Sequence, residues 1–133
     1  MDESAFLKRT LELADDTVES GSIRIKQGVG GARYEVKNGV KLRTAKAGEE
    51  GIDFVHVSSG EKISLKGPYR QNNMDPLPPQ AYSPETFAKS ALKPNTAVDK
   101  VVVDLYGLND AEKELVKATI RNGNPTKPIE FLE

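Results

Sequence analysis

Cysteine and tryptophan are absent from this 133-residue chain, and histidine occurs only once. Without cysteine the protein cannot hold a disulfide framework, a cysteine-ligated zinc or iron–sulfur centre, or a catalytic thiol. The single histidine excludes a metal site built from several histidines, and it confines any Ser/His/Asp triad to His56. The catalytic groups that remain available are therefore carboxylates, lysines and hydroxyls.

Long apolar runs and a strong net charge are also lacking. No stretch approaches the roughly 20 apolar residues of a membrane-spanning helix, so we expect no membrane insertion. The N-terminus is acidic and amphipathic, unlike a signal peptide, so export would depend on a larger parent polypeptide. The 37% hydrophobic and 29% charged residues predict one globular domain over residues 1–133.

The charges are unevenly distributed although they sum to −1. Residues 1–20 contain six acids and two bases, whereas residues 21–46 contain seven bases and one acid. If residues 21–46 form strands, Arg24 and Lys26 share one face, as do Lys41 and Arg43. Such a surface could bind phosphates, or it could be the ordinary solvated face of an antiparallel sheet.

The first half of the chain changes from a helical to a strand-like pattern. Apolar residues at helical spacing predict a helix over residues 4–19 with an inward stripe formed by Leu7, Leu11, Ala14 and Val18. Alternation then predicts strands over residues 22–27 and 33–45, and the pair Asn38-Gly39 predicts a hairpin turn.

The second half predicts a sheet with two helices. Residues 51–57 and 62–66 form a strand pair across Ser58-Ser59-Gly60. Five of the eight prolines fall in residues 67–84, which we interpret as an irregular functional loop. The remaining expected elements are a helix over 84–92, a strand over 100–106, a helix over 109–121 with Leu115, Val116 and Ile120 inward, and a strand over 128–132. The fold class is therefore α/β with a mixed central sheet flanked by helices.

Three residues of the 51–66 strand pair could carry chemistry. In a hairpin centred near Ser59-Gly60, Asp53 pairs with Lys66, and cross-strand partners lie about 5 Å apart. Ser64 shares that face. An aspartate beside a lysine can hold a divalent cation and orient a water molecule for attack on phosphate. The commoner meaning of such a pair is a surface salt bridge.

An acid from the first helix could complete a metal site. Glu12, Asp15 and Glu19 lie about 100° to one side of the apolar stripe and form an acidic flank. A carboxylate there could reach the end of the sheet. A solvated acidic helix face is the alternative for each of the three residues.

The segment Gly48-Glu49-Glu50-Gly51-Ile52-Asp53-Phe54-Val55, followed by a hairpin ending in Lys66, carries a family resemblance. Together with the helix acid before it, this segment resembles the PD-(D/E)XK, or restriction-endonuclease-like, nuclease superfamily. The resemblance is closest to the toxin domains of contact-dependent growth inhibition proteins, several of which are tRNases. It implies an α-β-β-β-α-β core, here with an extra N-terminal hairpin.

The resemblance also implies roles for individual residues. Asp53 corresponds to the metal-binding acid and Lys66 to the motif lysine, whereas Ser64 stands where the family usually has Asp or Glu. Glu19 or Glu12 would supply the helix acid, with Glu35 a third candidate. The implied cofactor is Mg²⁺, bound by Asp53 and Glu19.

The biological setting follows from the same resemblance. We expect a metal-dependent ribonuclease that is delivered to the cytoplasm of a target bacterium and cleaves tRNA there. A cognate immunity protein would neutralise the monomeric toxin by forming a heterodimer with it. Two alternatives remain open: a non-catalytic binding module, such as an immunity protein or adaptor, and a DNase of the same superfamily.

Two further sequence features adjoin the expected site. The loop that follows Lys66 contains Tyr69 and Arg70, which could stack on a base or contact a phosphate, or could simply be part of a polar loop. His56 is three positions from Asp53 on the same strand, so it should face the opposite side as a packed or solvated residue.

Overall fold

The computed structural model describes residues 2–16, 21–68 and 83–133. Nine helices and strands occur in these ranges; the strand over residues 62–66 has the predicted bounds, and the last four elements end within two residues of theirs. In chain order they are α1 (Glu3–Asp16), α2 (Gly21–Asn38), β1 (Leu42–Thr44), β2 (Phe54–His56), β3 (Lys62–Lys66), α3 (Pro84–Ser90), β4 (Lys100–Asp104), α4 (Asp110–Asn122) and β5 (Ile129–Leu132).

The five strands form one mixed sheet in the order β1-β2-β3-β4-β5. Neighbouring strands are antiparallel from β1 to β3, whereas β4 and β5 run parallel to β3 and to each other. The parallel pairs require crossover connections, which α3 and α4 provide. The expected α/β class with a mixed sheet and flanking helices is confirmed.

Helices cover both faces of the sheet, and β4 is buried between them. Val101 and Val103 pack into the cluster that includes Phe87, Val116 and Ile120 from α3 and α4. Val102, between them, packs into the opposite cluster, which contains residues of α1, α2 and the other strands. A strand with both faces buried reads as a continuous apolar run, which is why Lys100–Asp104 was recognisable in the sequence.

The N-terminal hairpin predicted over residues 22–45 is wrong, because residues 21–38 form helix α2. The pair Asn38-Gly39 ends this helix instead of turning between strands. Gly39 adopts a φ of 63°, and its N–H and that of Val40 donate to the carbonyl of Glu35. Asn-Gly suits a helix end as well as a hairpin, because both need a residue that tolerates positive φ.

Three glycines of α2 explain both why the sequence did not predict this helix and how the helix packs against its neighbours. Glycine is a poor helix former, so Gly28, Gly30 and Gly31 argued against a helix in the sequence. In the fold, an added Cβ at Gly28 would lie 2.4 Å from the carbonyl oxygen of Thr10. At Gly30 and Gly31 it would lie 2.6 Å from Leu65 and 2.7 Å from Phe54. The glycines therefore allow α2 to approach both α1 and the sheet closely.

Helix α1 is present, but its inward face differs from the predicted stripe. Thr10, Leu13 and Ala14 are buried, whereas Leu7 is 59% exposed and Leu11 is 46% exposed. The inward face is rotated because the partner surface is the glycine face of α2 beside Thr10 and Ala14. Val18 and Glu19 of the predicted stripe and flank lie outside the described residues.

The C-terminal elements agree with the sequence, and both helices begin with a capping residue. Ser83 caps α3 by accepting from the Thr86 N–H, and Asn109 forms a capping box with Glu112 at α4. Val116 and Ile120 of α4 are buried as predicted, but Leu115 is 47% exposed. Within the described ranges, no helix is both long enough and apolar enough to cross a membrane.

Candidate functional site

A cleft of about 510 Å³ opens at the end of the sheet where β2 begins and β3 ends. The loop over residues 45–53 forms one wall, and Ser64, Lys66 and Asn95 complete the lining. Asp53, Ser64 and Lys66, which the sequence singled out, therefore border the same cavity.

The strand register differs from the predicted one by two residues. Phe54 pairs with Ile63 and Val55 with Lys62, and the same register places Asp53 opposite Ser64 instead of Lys66. The turn closes with the Gly60 N–H donating to the His56 carbonyl and with Gly60 at a φ of 76°. This arrangement centres the turn between Ser58 and Ser59, one residue earlier than expected, and so moves every pair by two.

The carboxylate of Asp53 is held by donors from two elements. Oδ2 accepts the backbone N–H of Leu65 at 2.6 Å, and Oδ1 accepts the side-chain amide of Gln27 at 2.9 Å. Leu65 lies on β3 and Gln27 on α2. The two bonds fix the carboxylate at the junction of the helix and the sheet.

Ser64 and Lys66 lie two residues apart on β3 and therefore share one face. Ser64 is only 3% exposed and is adjacent to Val101 of β4, while Lys66 is adjacent to Val103. The mostly buried strand β4 thus lies directly beside both residues in the sheet. A hydroxyl and an ammonium group on a supported strand can present hydrogen-bond donors with little reorganisation.

Two polar contacts shape the loop wall of the cleft. Arg43 donates to both oxygens of Glu49 at 2.8 and 3.0 Å, and Glu49 also accepts the Lys46 N–H. The Arg43 hydrogen bond, followed by the Lys46 N–H, lowers the pKa of Glu49 to about 2. On the other side, the Asn95 amide donates to the carbonyl of Gly51 at 2.8 Å.

The candidate helix acids have different surroundings. Glu12 is an exposed residue of α1 and does not line the cleft. Asp16, four residues later, accepts the Thr44 hydroxyl at 2.7 Å and lies 3.9 Å from the ammonium of Lys46, which does line the cleft. Asp16 is therefore closer to the site than Glu12. Glu19 lies outside the described residues.

Glu35 is occupied in a structural role. Its carboxylate accepts two hydrogen bonds from Arg9 and one from the Leu42 N–H, and its side chain is 7% exposed. These bonds occupy three of its roughly four acceptor positions, and Glu35 does not line the cleft. The structure thus offers no support for Glu35 as the third site carboxylate.

The predicted basic strand face of Arg24 and Lys26 is wrong because both residues lie on helix α2. Arg24 and Lys26 are two positions apart on helix α2, so their positions fall on nearly opposite sides of the axis. Lys41 is exposed just before β1, and Arg43 is paired with Glu49. Tyr69 and Arg70 lie outside the described residues.

The histidine is part of the β2–β3 turn. Its Nδ1 lies 3.1 Å from the Ser58 hydroxyl and accepts the Ser59 N–H at 3.3 Å, and His56 does not line the cleft. These contacts agree with a histidine in a local structural role.

The donor atoms at the cleft suit a hard cation in type but are few in number. Asp53 supplies a carboxylate and Ser64 a hydroxyl, and oxygen ligands of this kind suit Mg²⁺. Among residues 2–16, 21–68 and 83–133, no three His, Asp or Glu side chains form a group able to hold a metal ion. The chemistry of the donor set fits, and the helix acid that the resemblance implies, Glu19, lies outside the described residues.

Gln27 and Asn95 are contributors that the sequence did not reveal. Gln27 stands at the end of the strand predicted over residues 22–27, so its place on a helix facing Asp53 was hidden. Asn95 lies 44 residues from the Gly51 carbonyl to which it donates. No local pattern indicates a contact over such a distance.

Comparison with known proteins adds no relative to this picture: no family model, curated protein or solved structure matches the chain.

Proposed function

We propose that this chain is a metal-dependent ribonuclease toxin domain that cleaves tRNA and is neutralised by a cognate immunity protein. The observation that carries the proposal is the lining of one cleft by Asp53, Ser64 and Lys66. Asp53 and Lys66 match the motif of the PD-(D/E)XK nucleases, whereas Ser64 stands where that family usually has Asp or Glu. The shift in strand register leaves all three at the same end of the sheet.

The order of elements supports the same proposal. Helix α2 is followed by three antiparallel strands, a helix and a strand parallel to the third, an α-β-β-β-α-β sequence. In this interpretation α2, and not α1, is the first helix of the restriction-endonuclease-like core. Helix α1 and the final α4–β5 unit are additions to it.

Asp53 and Glu19 would hold Mg²⁺ in the proposed site. When bound, the cation would neutralise charge that develops on the phosphate during hydrolysis. Asp53 contributes its carboxylate in an orientation that Leu65 and Gln27 already determine. Such prior orientation reduces the reorganisation needed when the phosphate binds.

Lys66 and Ser64 would act on the phosphate and on the attacking water. The Lys66 ammonium donates hydrogen bonds to a non-bridging oxygen and to the water, which aligns the water for in-line attack. The Ser64 hydroxyl donates to a second phosphate oxygen. Lys46 lines the same cleft and adds positive charge where a polyanionic backbone would enter.

The test is tRNA cleavage by the wild type and by single variants, with Mg²⁺ and with a chelator. We expect wild-type cleavage that the chelator abolishes, and a loss of at least about 100-fold in Asp53→Asn and in Lys66→Met. Lys62→Met is the matched control, because Lys62 is an exposed lysine on the same strand that does not line the cleft. It should retain wild-type activity.

Each contrary outcome has a distinct meaning. Unchanged cleavage in both site variants would reject the assignment of Asp53 and Lys66. Cleavage of plasmid DNA in preference to tRNA would favour the DNase. A folded wild type that cleaves neither nucleic acid would reject the enzyme and leave a binding module as the better interpretation.

A further inference from the structure

We propose that Gln27 is a positioning residue that fixes the orientation of the Asp53 carboxylate, and that the glycine face of α2 brings it there. The catalytic consequence rests on the proposed function. The orientation itself does not depend on that function and can be tested without a substrate.

The hydrogen-bond geometry is the first step. Gln27 donates to Oδ1 of Asp53 at 2.9 Å while the Leu65 N–H donates to Oδ2 at 2.6 Å. A carboxylate held through one oxygen can still rotate about the bond to its Cβ. Donors on both oxygens restrict that rotation and the side-chain rotamer together.

The approach of α2 to β3 is the second step. Gly30 lies one helical turn after Gln27, and an added Cβ there would lie 2.6 Å from a methyl group of Leu65. Leu65 is also the residue whose N–H binds Asp53. The same strand residue thus packs on the helix through its side chain and holds the carboxylate through its backbone.

The other glycines extend this contact along the helix. Gly31 faces Phe54, the residue after Asp53, at 2.7 Å from an added Cβ. Gly28 faces the backbone of α1. Larger side chains at these positions would separate the helix from the strand ends, and Gln27 could then not reach Asp53.

The catalytic consequence concerns turnover more than binding. Gln27 does not line the cleft, so we do not expect it to contact the substrate. If it orients Asp53, its loss should lower kcat and leave KM nearly unchanged. Mutation of residues that orient the ligands of a site without touching the substrate typically lowers activity by about 10–100-fold.

The test compares Gln27→Met, which keeps the length and removes the donor, with Gln27→Lys, which keeps a donor. The rotamer of Asp53 is read from the scalar couplings of its Cγ to the backbone nitrogen and carbonyl carbon in the full chain. We expect a single rotamer in the wild type and in Gln27→Lys, and averaged couplings in Gln27→Met. We also expect a 10–100-fold lower kcat for Gln27→Met with KM within about twofold.

Other results would overturn the proposal. A single rotamer in Gln27→Met would show that Gln27 is not needed to orient Asp53, and averaging in both variants would show that the donor is not the cause. A raised KM with unchanged kcat would contradict a positioning role. If the wild type cleaves no nucleic acid, the proposed function fails, while the couplings still decide the orientation.

The wild-type chain gives a test that needs no substitution. The side-chain amide of Gln27 should exchange with water more slowly than that of Asn122, an exposed residue of α4. Equal exchange rates would reject the hydrogen bond, even if Gln27→Met failed to fold.

Discussion

Arg9 and Glu35 form an ion pair through two hydrogen bonds of 2.7 and 2.8 Å that joins α1 to α2. Both partners also bind the backbone of Leu42: Glu35 accepts its N–H at 2.7 Å, and Arg9 donates to its carbonyl at 2.8 Å. The pair therefore fastens two helices to the start of β1. It holds in place the helix that carries Gln27.

Removing Arg9 should destabilise the fold because it leaves the buried Glu35 carboxylate with one remaining described donor. We expect Arg9→Met to lower the free energy of unfolding by about 2–4 kcal/mol, as measured by urea denaturation. Lys8→Met, an exposed neighbour on the same helix, should change it by less than about 0.5 kcal/mol. Equal effects of the two substitutions would contradict the structural role of the pair.

Gly28→Ala should destabilise the protein although alanine is the better helix former. The new Cβ would lie 2.4 Å from the Thr10 carbonyl oxygen, a backbone atom that can move only with its helix. We expect a loss of about 1–3 kcal/mol in the free energy of unfolding.

The reverse substitution on an unconstrained helix face is the control for Gly28→Ala. Ala118 of α4 is exposed, so Ala118→Gly should cost about 1 kcal/mol through helix propensity alone. A stabilising Gly28→Ala would mean that α2 does not approach α1 so closely.

The Arg43–Glu49 contact predicts an unusually acidic titration. Because Arg43 and the Lys46 N–H lower the pKa of Glu49 to about 2, Glu49 should remain ionised until the pH approaches that value. A carboxyl whose pKa is lower in the folded protein stabilises the fold above its unfolded pKa near 4.3. That contribution is lost as the pH falls towards 2.

Carbon-detected NMR of the glutamate carboxyls can follow this titration residue by residue. In Arg43→Met we expect the midpoint of Glu49 to rise towards the ordinary range, since the first cause of its shift is removed. A midpoint for Glu49 near 4 in the wild type would show that the loop wall of the cleft is not held by this pair.

Arg33 and Asp104 form a second ion pair, at the carboxyl end of β4, with 2.9 Å between Nε and Oδ2. Asp104 is fully buried, and burial raises the pKa of its carboxyl against the attraction of Arg33. In the described part of the chain, Nη2 of Arg33 is a buried nitrogen without a hydrogen-bond partner. Keeping Arg33 and Asp104 both charged therefore costs desolvation free energy.

A double-mutant cycle should show that cost. We expect Asp104→Leu alone to lower the free energy of unfolding by about 3 kcal/mol, because it leaves the Arg33 charge without its partner. Adding Arg33→Met should recover most of the loss, since an apolar pair avoids desolvation. Additive losses from the two substitutions would contradict this account.

The parts of the fold that the sequence predicted are those determined by local chemistry. Ser83 and Asn109 are capping residues at the starts of their helices, and the valines of β4 form an unbroken apolar run. The cleft residues Asp53, Ser64 and Lys66 were recognised because they lie within one hairpin. These residues are close together because the hairpin that joins them is short, and a shift of two residues in the register does not separate them.

The parts that could not be predicted depend on contacts between distant segments. The local pattern of residues 22–39 fits either a hairpin or a helix that ends at Asn38-Gly39. Only packing against α1 and Leu65 decides between these two structures. The same limit applies to Leu7 and Leu11, because the inward face of α1 depends on where α2 lies. Gln27 was missed for this reason.

The interior glycines of α2, Gly28, Gly30 and Gly31, also have a kinetic consequence. Each reduces intrinsic helix stability by about 1 kcal/mol relative to alanine, and most helical stability in proteins comes from tertiary packing. Residues 21–38 should therefore become helical only as α1 and β3 assemble beside them. The order of folding would then make Asp53 and Gln27 meet in the last cooperative step, so that no partly folded species carries a formed site.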